Sequence, residues 1–135
     1  MPLRPQLSSI RARFGYPYHQ WTTQDLDEEG WDRIQRSLAR KRAYDVSTLI
    51  EGLDGRFLLM SWYGDPPGIF RSPRGIVKPG EDIAGEALRE AGEETGLAVA
   101  LKQFLFHATL DIGHKDEVAT WDSFIFYGTT PDAPS

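Results

Sequence analysis

Apolar positions recur along the chain with two periods, one typical of helices and one typical of strands. Trp31, Ile34 and Leu38 lie three and four residues apart, so they form one stripe on a helix spanning about residues 24–41. Acidic residues cluster at the start of this segment and basic residues at its end, as the helix dipole favours. The pattern predicts an amphipathic helix that packs on another part of the protein.

Strand-like segments make up much of the remaining chain. Apolar and β-branched residues dominate four of them, at about residues 46–51, 56–63, 97–112 and 118–130. A turn at Leu53–Gly55 joins the first two, and Pro73 favours extended backbone before it. The sequence HKDE at residues 114–117 predicts a polar loop, and His107 falls within a strand.

A second helix is predicted over about residues 82–95. It follows a turn at Pro79–Gly80, and Gly96 is well placed as a left-handed stop. The order helix, strands, helix, strands predicts an α/β (α+β) layered domain.

The composition agrees with a single folded domain. The chain has 135 residues, of which 40% are hydrophobic. No apolar run approaches the roughly 18 residues that a membrane span needs, and a net charge of −5 argues against nucleic acid as a partner. The absence of cysteine excludes disulfides and thiolate sites and fits a cytoplasmic protein.

We divide the chain into an N-terminal extension, residues 1–42, and a domain, residues 43–135. The extension contains the 24–41 helix and is basic before Asp25. It lacks the apolar region of a secretory signal, so an ordered or dangling extension is the main interpretation and a transit peptide the alternative.

The 82–95 helix carries an unusual concentration of acid on one side. The acidic residues are Glu86, Glu90, Glu93 and Glu94. At about 100° per residue they share one face, whereas Ala84, Leu88 and Ala91 point the other way. Like charges at these spacings destabilise a helix by a few tenths of a kcal/mol per pair. A hard divalent cation such as Mg²⁺ would relieve the repulsion; the alternative is a solvated acidic face without function.

The residues around this helix follow a fixed spacing. Gly75 is followed after five residues by Glu81, and after seven more by Arg89–Leu97, with the sequence REAGEETGL. This arrangement, residues 75–97, resembles the Nudix box at each of its defined positions, and the order of strands over about 45–130 is similar to that of a Nudix domain. The resemblance implies an α/β/α sandwich with a mixed β-sheet. It also implies an enzyme that uses Mg²⁺ or Mn²⁺ and water to cleave a nucleoside diphosphate linked to another moiety.

The resemblance also implies roles for individual residues. The expected metal ligands are Glu90, Glu93, Glu94 and the main-chain carbonyl of Arg74. The expected catalytic residues are Arg89, Glu90, Glu93 and Glu81. Among these, Arg89 is expected to pair with Glu81 and so tie the loop to the helix.

Residues outside this core set are candidates for binding substrate and for taking a proton. Arg71, Arg74 and Gly75 are expected to contact substrate. Three aromatic residues, Trp62, Tyr63 and Trp121, either stack on a base or pack in the core. The base is Glu90 or Glu93 within the box, or Asp116 or Glu117 in the HKDE loop, where solvated loop residues are the alternative.

Several alternatives stay open. The substrate is a nucleotide sugar or ADP-ribose-type compound, a nucleoside triphosphate, or a dinucleoside polyphosphate. A Nudix-like module that binds such ligands without cleaving them belongs to a different class. A Nudix domain normally continues into another helix, so the chain is truncated, the 24–41 helix covers the open sheet face, or a homodimer does so.

Overall fold

A computed structural model describes residues 3–39, 44–61, 64–77 and 81–131 of the chain. The elements are α1 (Leu3–Phe14), β1 (Tyr18–Asp25), α2 (Glu28–Ala39), β2 (Tyr44–Glu51), β3 (Phe57–Leu58), β4 (Arg74–Val77), α3 (Ile83–Thr95), β5 (Ala100–His114) and β6 (Glu117–Thr129). The predicted helices at 24–41 and 82–95 correspond to α2 and α3, with ends within a few residues.

The strands form one mixed sheet, as predicted. Its order is β1-β5-β6-β2-β3, and β4 also pairs with β2. The pairs β1·β5 and β2·β6 are parallel, whereas β5·β6, β2·β3 and β2·β4 are antiparallel. Gly75 on β4 lies opposite Val46, which is level with Phe124 on β6. This register sets which sheet residues lie beneath each helix.

Helices cover both faces of the sheet, which confirms the α/β/α sandwich. Side chains alternate between faces along a strand, so Phe124 and Trp121 on β6 point to opposite sides. Phe124 lies in a core cluster with Leu7 of α1 and Ile83 of α3. Trp121 packs in a second cluster with Trp31 of α2. Helices α1 and α3 therefore share one face, and α2 covers part of the other.

The N-terminal segment contains more structure than the sequence analysis expected. Helix α1 buries Leu7 and Ile10 and ends at Phe14, before Gly15, whose φ is +94°. All eight residues of β1 are exposed, and they pair with β5 through the register that begins at Tyr18 and Phe106. Strand β1 has no apolar alternation because neither of its faces is buried, and its pairing with a distant strand defines it.

The prediction of a polar loop at residues 114–117 was wrong at both ends. His114 ends β5 and Glu117 begins β6, which leaves Lys115 and Asp116 as the turn. His114 is half-buried because its ring stacks on Trp31 and its Nδ1 lies 3.0 Å from the Leu26 carbonyl oxygen.

Three sequence-based expectations fall outside the described residues. They are the stacking role of Trp62, the stacking role of Tyr63, and the turn at Pro79–Gly80. None of the helices in the described ranges is long and apolar enough to cross a membrane.

Candidate active site

Helix α3 positions the acidic residues by burying its opposite side. Asp82 caps the helix by accepting the Gly85 N–H at 3.2 Å, and Gly96 ends it with φ +71°. Ile83, Ala87 and Ala91 are buried against the sheet. Because these small and apolar residues fix the packing side, the face that carries Glu90, Glu93 and Glu94 turns away from the core.

Glu90 lies directly against the backbone of Gly75. A Cβ atom built on Gly75 would be 2.4 Å from Glu90 Cγ and 2.7 Å from its Cδ, far inside van der Waals contact. Glycine is therefore the residue that allows strand β4 and the Glu90 side chain to approach each other. The Glu90 side chain is 19% exposed, so its carboxylate is largely withdrawn from water.

Glu94 is bound to the same short strand. Its Oε2 accepts the backbone N–H of Arg74 at 3.0 Å. Arg74 and Gly75 are consecutive, so Glu94 and Glu90 contact neighbouring backbone units of β4. Two of the four predicted metal ligands, Glu90 and Glu94, thus converge on the backbone of residues 74 and 75; a role for the Arg74 carbonyl stays a prediction.

Arg89 connects the acidic residues to one another. Its Nε donates to Glu86 at 3.0 Å, its Nη1 to Glu93 at 2.8 Å and its Nη2 to Glu90 at 2.5 Å. A second bond from Nη2 to Glu86 makes that pair bidentate. These contacts join Arg89 to three glutamates of its own helix, and the expected pair between Arg89 and Glu81 stays a prediction.

These contacts shift the pKa values of two acids in opposite directions. Hydrogen bonds from Arg89 lower the pKa of Glu86 against the opposing effect of burial, helped by hydrogen bonds to Glu81 and Glu90. Burial raises the pKa of Glu90, and its neighbours Glu86 and Glu94 raise it further against Arg89. One guanidinium therefore compensates Glu86 well but leaves Glu90 with excess negative charge nearby.

The donor set fits a hard divalent cation in its chemistry. Glu90 and Glu94 offer carboxylate oxygens beside the backbone of β4, and oxygen donors of this kind are those that Mg²⁺ prefers. Within the described ranges, no three His, Asp or Glu side chains converge as a formed metal site. The physical reason is that Arg89 draws Glu86, Glu90 and Glu93 toward its own nitrogens.

Other predicted site residues lie farther away. Arg71 is exposed and pairs with Asp65 at 3.2 Å. Asp116 and Glu117 are exposed at the tip of the β5–β6 hairpin. Glu117 is seven residues before Phe124, which lies level with Val46 and Gly75, so roughly 23 Å of strand separates the tip from the acidic residues. The structure does not bring these acids to α3.

A cavity lies on the opposite side of strand β4. Its volume is about 390 Å³, and its walls include Arg74, Asp45 and Trp121 from the sheet and Ile34 from α2. Trp121 is buried, and its Nε1 donates to Asp45 at 3.0 Å. The sequence analysis left stacking and core packing open for Trp121; here it packs against α2 and also forms a wall of this cavity.

Two residues at the site were missed as site residues. Glu86 was counted among the crowded acids, and its spacing of three from Arg89 is the signal that identifies the pair. Gln6 of α1 is buried, accepts the Ile83 N–H, and donates to the Glu81 carbonyl at 3.4 Å. No local sequence pattern identifies a contact between residues 77 positions apart.

Comparison with known proteins adds an independent observation. A sequence model of the NUDIX domain matches residues 41–134. Among solved structures, the crystal structure of C. elegans Ap4A hydrolase is similar, with 24% sequence identity and a TM-score of 0.48. That similarity covers 70% of this chain and 72% of the other. No curated protein matches the chain.

Proposed function

Because this chain belongs to the Nudix family of hydrolases, we propose that it is a divalent-metal-dependent pyrophosphohydrolase. It cleaves a phosphoanhydride bond in a nucleoside diphosphate linked to another moiety. The substrate class includes nucleotide sugars, ADP-ribose-type compounds and nucleoside triphosphates.

The observation that carries this proposal is the convergence of two acidic side chains on the backbone of β4. Glu90 packs on Gly75, and Glu94 accepts the N–H of Arg74. The Arg74 side chain extends toward the cavity on the other face of the sheet. A substrate bound across this strand would thus have its phosphates beside the acids and its organic part in the cavity.

The metal ligands in this proposal are Glu90, Glu94 and the Arg74 carbonyl, with Glu93 as a further carboxylate. The ion is Mg²⁺ or Mn²⁺, because these cations prefer oxygen donors. When bound, such an ion neutralises charge on the phosphates and lowers the pKa of a coordinated water.

The side chains of the protein then orient the attacking water and accept its proton. Glu93 is 62% exposed and is held by Arg89, which makes it the carboxylate best placed to take a proton from the attacking water. Arg89 fixes this side chain and that of Glu90 relative to each other. The bond that breaks joins the attacked phosphorus to the bridging oxygen, and the water oxygen remains on that phosphorus.

The cavity is suited to the organic part of the substrate. Its volume of about 390 Å³ is within the range of sites that hold small ligands. The Arg74 side chain is 62% exposed, and its guanidinium lies 4.0 Å from Asp45, so it is available to a phosphate.

We further infer that the partner is a small nucleotide derivative rather than nucleic acid, because the net charge is −5. We infer the cytoplasm as the location from the absence of cysteine.

The test is a substrate panel with and without metal. The purified chain is incubated with nucleotide sugars, ADP-ribose, nucleoside triphosphates and dinucleoside polyphosphates, in Mg²⁺, in Mn²⁺ and in excess chelator. We expect cleavage of one class in the metal arms alone. Faster cleavage of dinucleoside polyphosphates would select the alternative substrate class.

Reaction in ¹⁸O-labelled water tests the chemistry. Mass spectrometry should place a single ¹⁸O atom on one phosphate product. Activity that persists in chelator, or a product labelled at carbon, would contradict the proposal.

A further inference from the structure

Helix α1 reaches the start of α3 through one buried amide side chain. Gln6 is 4% exposed, although its neighbours in the core cluster, Leu7 and Ile10, are apolar. Its Oε1 accepts the Ile83 N–H, and its Nε2 donates to the Glu81 carbonyl at 3.4 Å. A buried amide side chain among apolar residues is stable when its polar atoms are hydrogen-bonded, and these two contacts provide the hydrogen bonds.

Gln6 completes the cap of the acidic helix. The first N–H groups of a helix have no partner within it. Asp82 accepts the Gly85 N–H, and Gln6 accepts the Ile83 N–H from a different element. Gln6 also lies outside residues 41–134, the part of the chain that matches the family. This segment therefore adds a contact that the family match does not include.

A continuous series of contacts leads from Gln6 to the acidic residues. Gln6 holds the backbone N–H of Ile83 at the start of α3, and the same first turn carries Glu86, whose N–H donates to the Asp82 carbonyl at 2.8 Å. Glu86 holds Arg89 through a bidentate pair, and Arg89 binds Glu90 and Glu93.

We propose that Gln6 is a positioning residue for the acidic site. Gln6 fixes the backbone at Glu81 and Ile83, and through Glu86 and Arg89 it fixes the carboxylates that bind the metal. This inference rests on the proposed function. The alternative is that Gln6 only anchors α1 to the fold.

Two variants of α1 separate these alternatives. Gln6→Met keeps the length and volume of the side chain but removes both hydrogen bonds. Ile10→Ala keeps the hydrogen bonds but removes packing from a residue that is 4% exposed. The readouts are kcat and KM on the substrate found in the panel, Mn²⁺ affinity by electron paramagnetic resonance, and the midpoint of urea unfolding.

We expect Gln6→Met to lower kcat and weaken Mn²⁺ binding by about tenfold each, the usual effect of removing a residue that orients metal ligands. KM should change much less. Ile10→Ala should lower the midpoint of urea unfolding at least as much as Gln6→Met does. Its kcat and Mn²⁺ affinity should nevertheless stay within twofold of the wild type. A third variant, Gln6→Glu, keeps the acceptor for the Ile83 N–H and should restore most of the activity.

Two results would overturn the inference. One is a folded Gln6→Met protein with wild-type kcat and Mn²⁺ affinity. The other is an Ile10→Ala protein that loses Mn²⁺ affinity as strongly as Gln6→Met, because docking of α1 would then explain both. A wild-type chain that cleaves nothing in the panel contradicts the proposed function instead, so the two failures are distinguishable.

Discussion

The two ends of helix α3 are built in opposite ways. At its start, Ile83 and Ala84 are buried, and two side chains cap the free N–H groups. Toward its end, Glu90, Glu93 and Glu94 crowd one face, and burial raises the pKa of Glu90. Most helical stability in proteins comes from tertiary packing. The buried start therefore stabilises a helix whose other end crowds acidic side chains on one face.

The largest effect on turnover is expected from removing one charge at the acidic end of α3. Glu94→Gln keeps an oxygen that accepts the Arg74 N–H but lacks the carboxylate. Loss of a group that only orients metal ligands lowers metal affinity or activity by about 10- to 100-fold. Because Glu94 is a proposed ligand itself, we expect turnover to fall by roughly 100-fold or more. Turnover and the unfolding midpoint are measured together, and the midpoint should stay unchanged. Undiminished turnover would refute the role of Glu94.

Gly75→Ala tests the contact between the acidic end and β4. The new Cβ would lie 2.4 Å from Glu90 Cγ, so the Glu90 side chain must move. We expect turnover to fall by roughly 10- to 100-fold, as for other displaced ligands. Gly92→Ala is the matched control, because a Cβ there meets nothing within 4 Å. It should stabilise the fold by roughly 0.4–1 kcal/mol without loss of activity. Equal activity of the two variants would contradict the role of Gly75.

Glu86→Gln tests the connection between the two ends of the helix. Glu86 is buried and holds Arg89 in a bidentate pair, which the glutamine cannot reproduce. We expect turnover to fall about tenfold because Arg89 loses its main partner. Glu29→Gln removes an exposed pair with Arg33 on α2 and should have little effect. Both variants are compared by kcat; a Glu86→Gln enzyme with wild-type kcat would show that Arg89 needs no such support.

The smallest effect is expected at the hairpin tip. Asp116→Asn and Glu117→Gln change exposed acids roughly 23 Å of strand away from the level of Gly75. Their kcat values should stay within twofold of the wild type over a full pH profile. A loss comparable to that of Glu94→Gln would instead identify one of them as the base.

The success of sequence analysis differed between these regions for physical reasons. The acidic end of α3 was predictable because the family pattern sets residue types at fixed spacings from Gly75 to Leu97. The strands β5 and β6 were predictable because burial imposes a pattern on them. Helix α1 was missed although Leu7, Ile10 and Phe14 recur at three and four, because arginines and serines separate them. Gln6 carries no local pattern, since its role depends on a contact across 77 positions.

Strand β1 has a consequence for the order in which the protein folds during synthesis. Trp21 on β1 donates its indole N–H to Asp111, which is 90 residues later in the chain. At the usual pace of translation, about 5–20 residues per second, that partner emerges from the ribosome roughly 5–18 seconds after Trp21. Strand β1 is thus made well before the strand with which it pairs, and until then its aromatic side chains have no sheet to join.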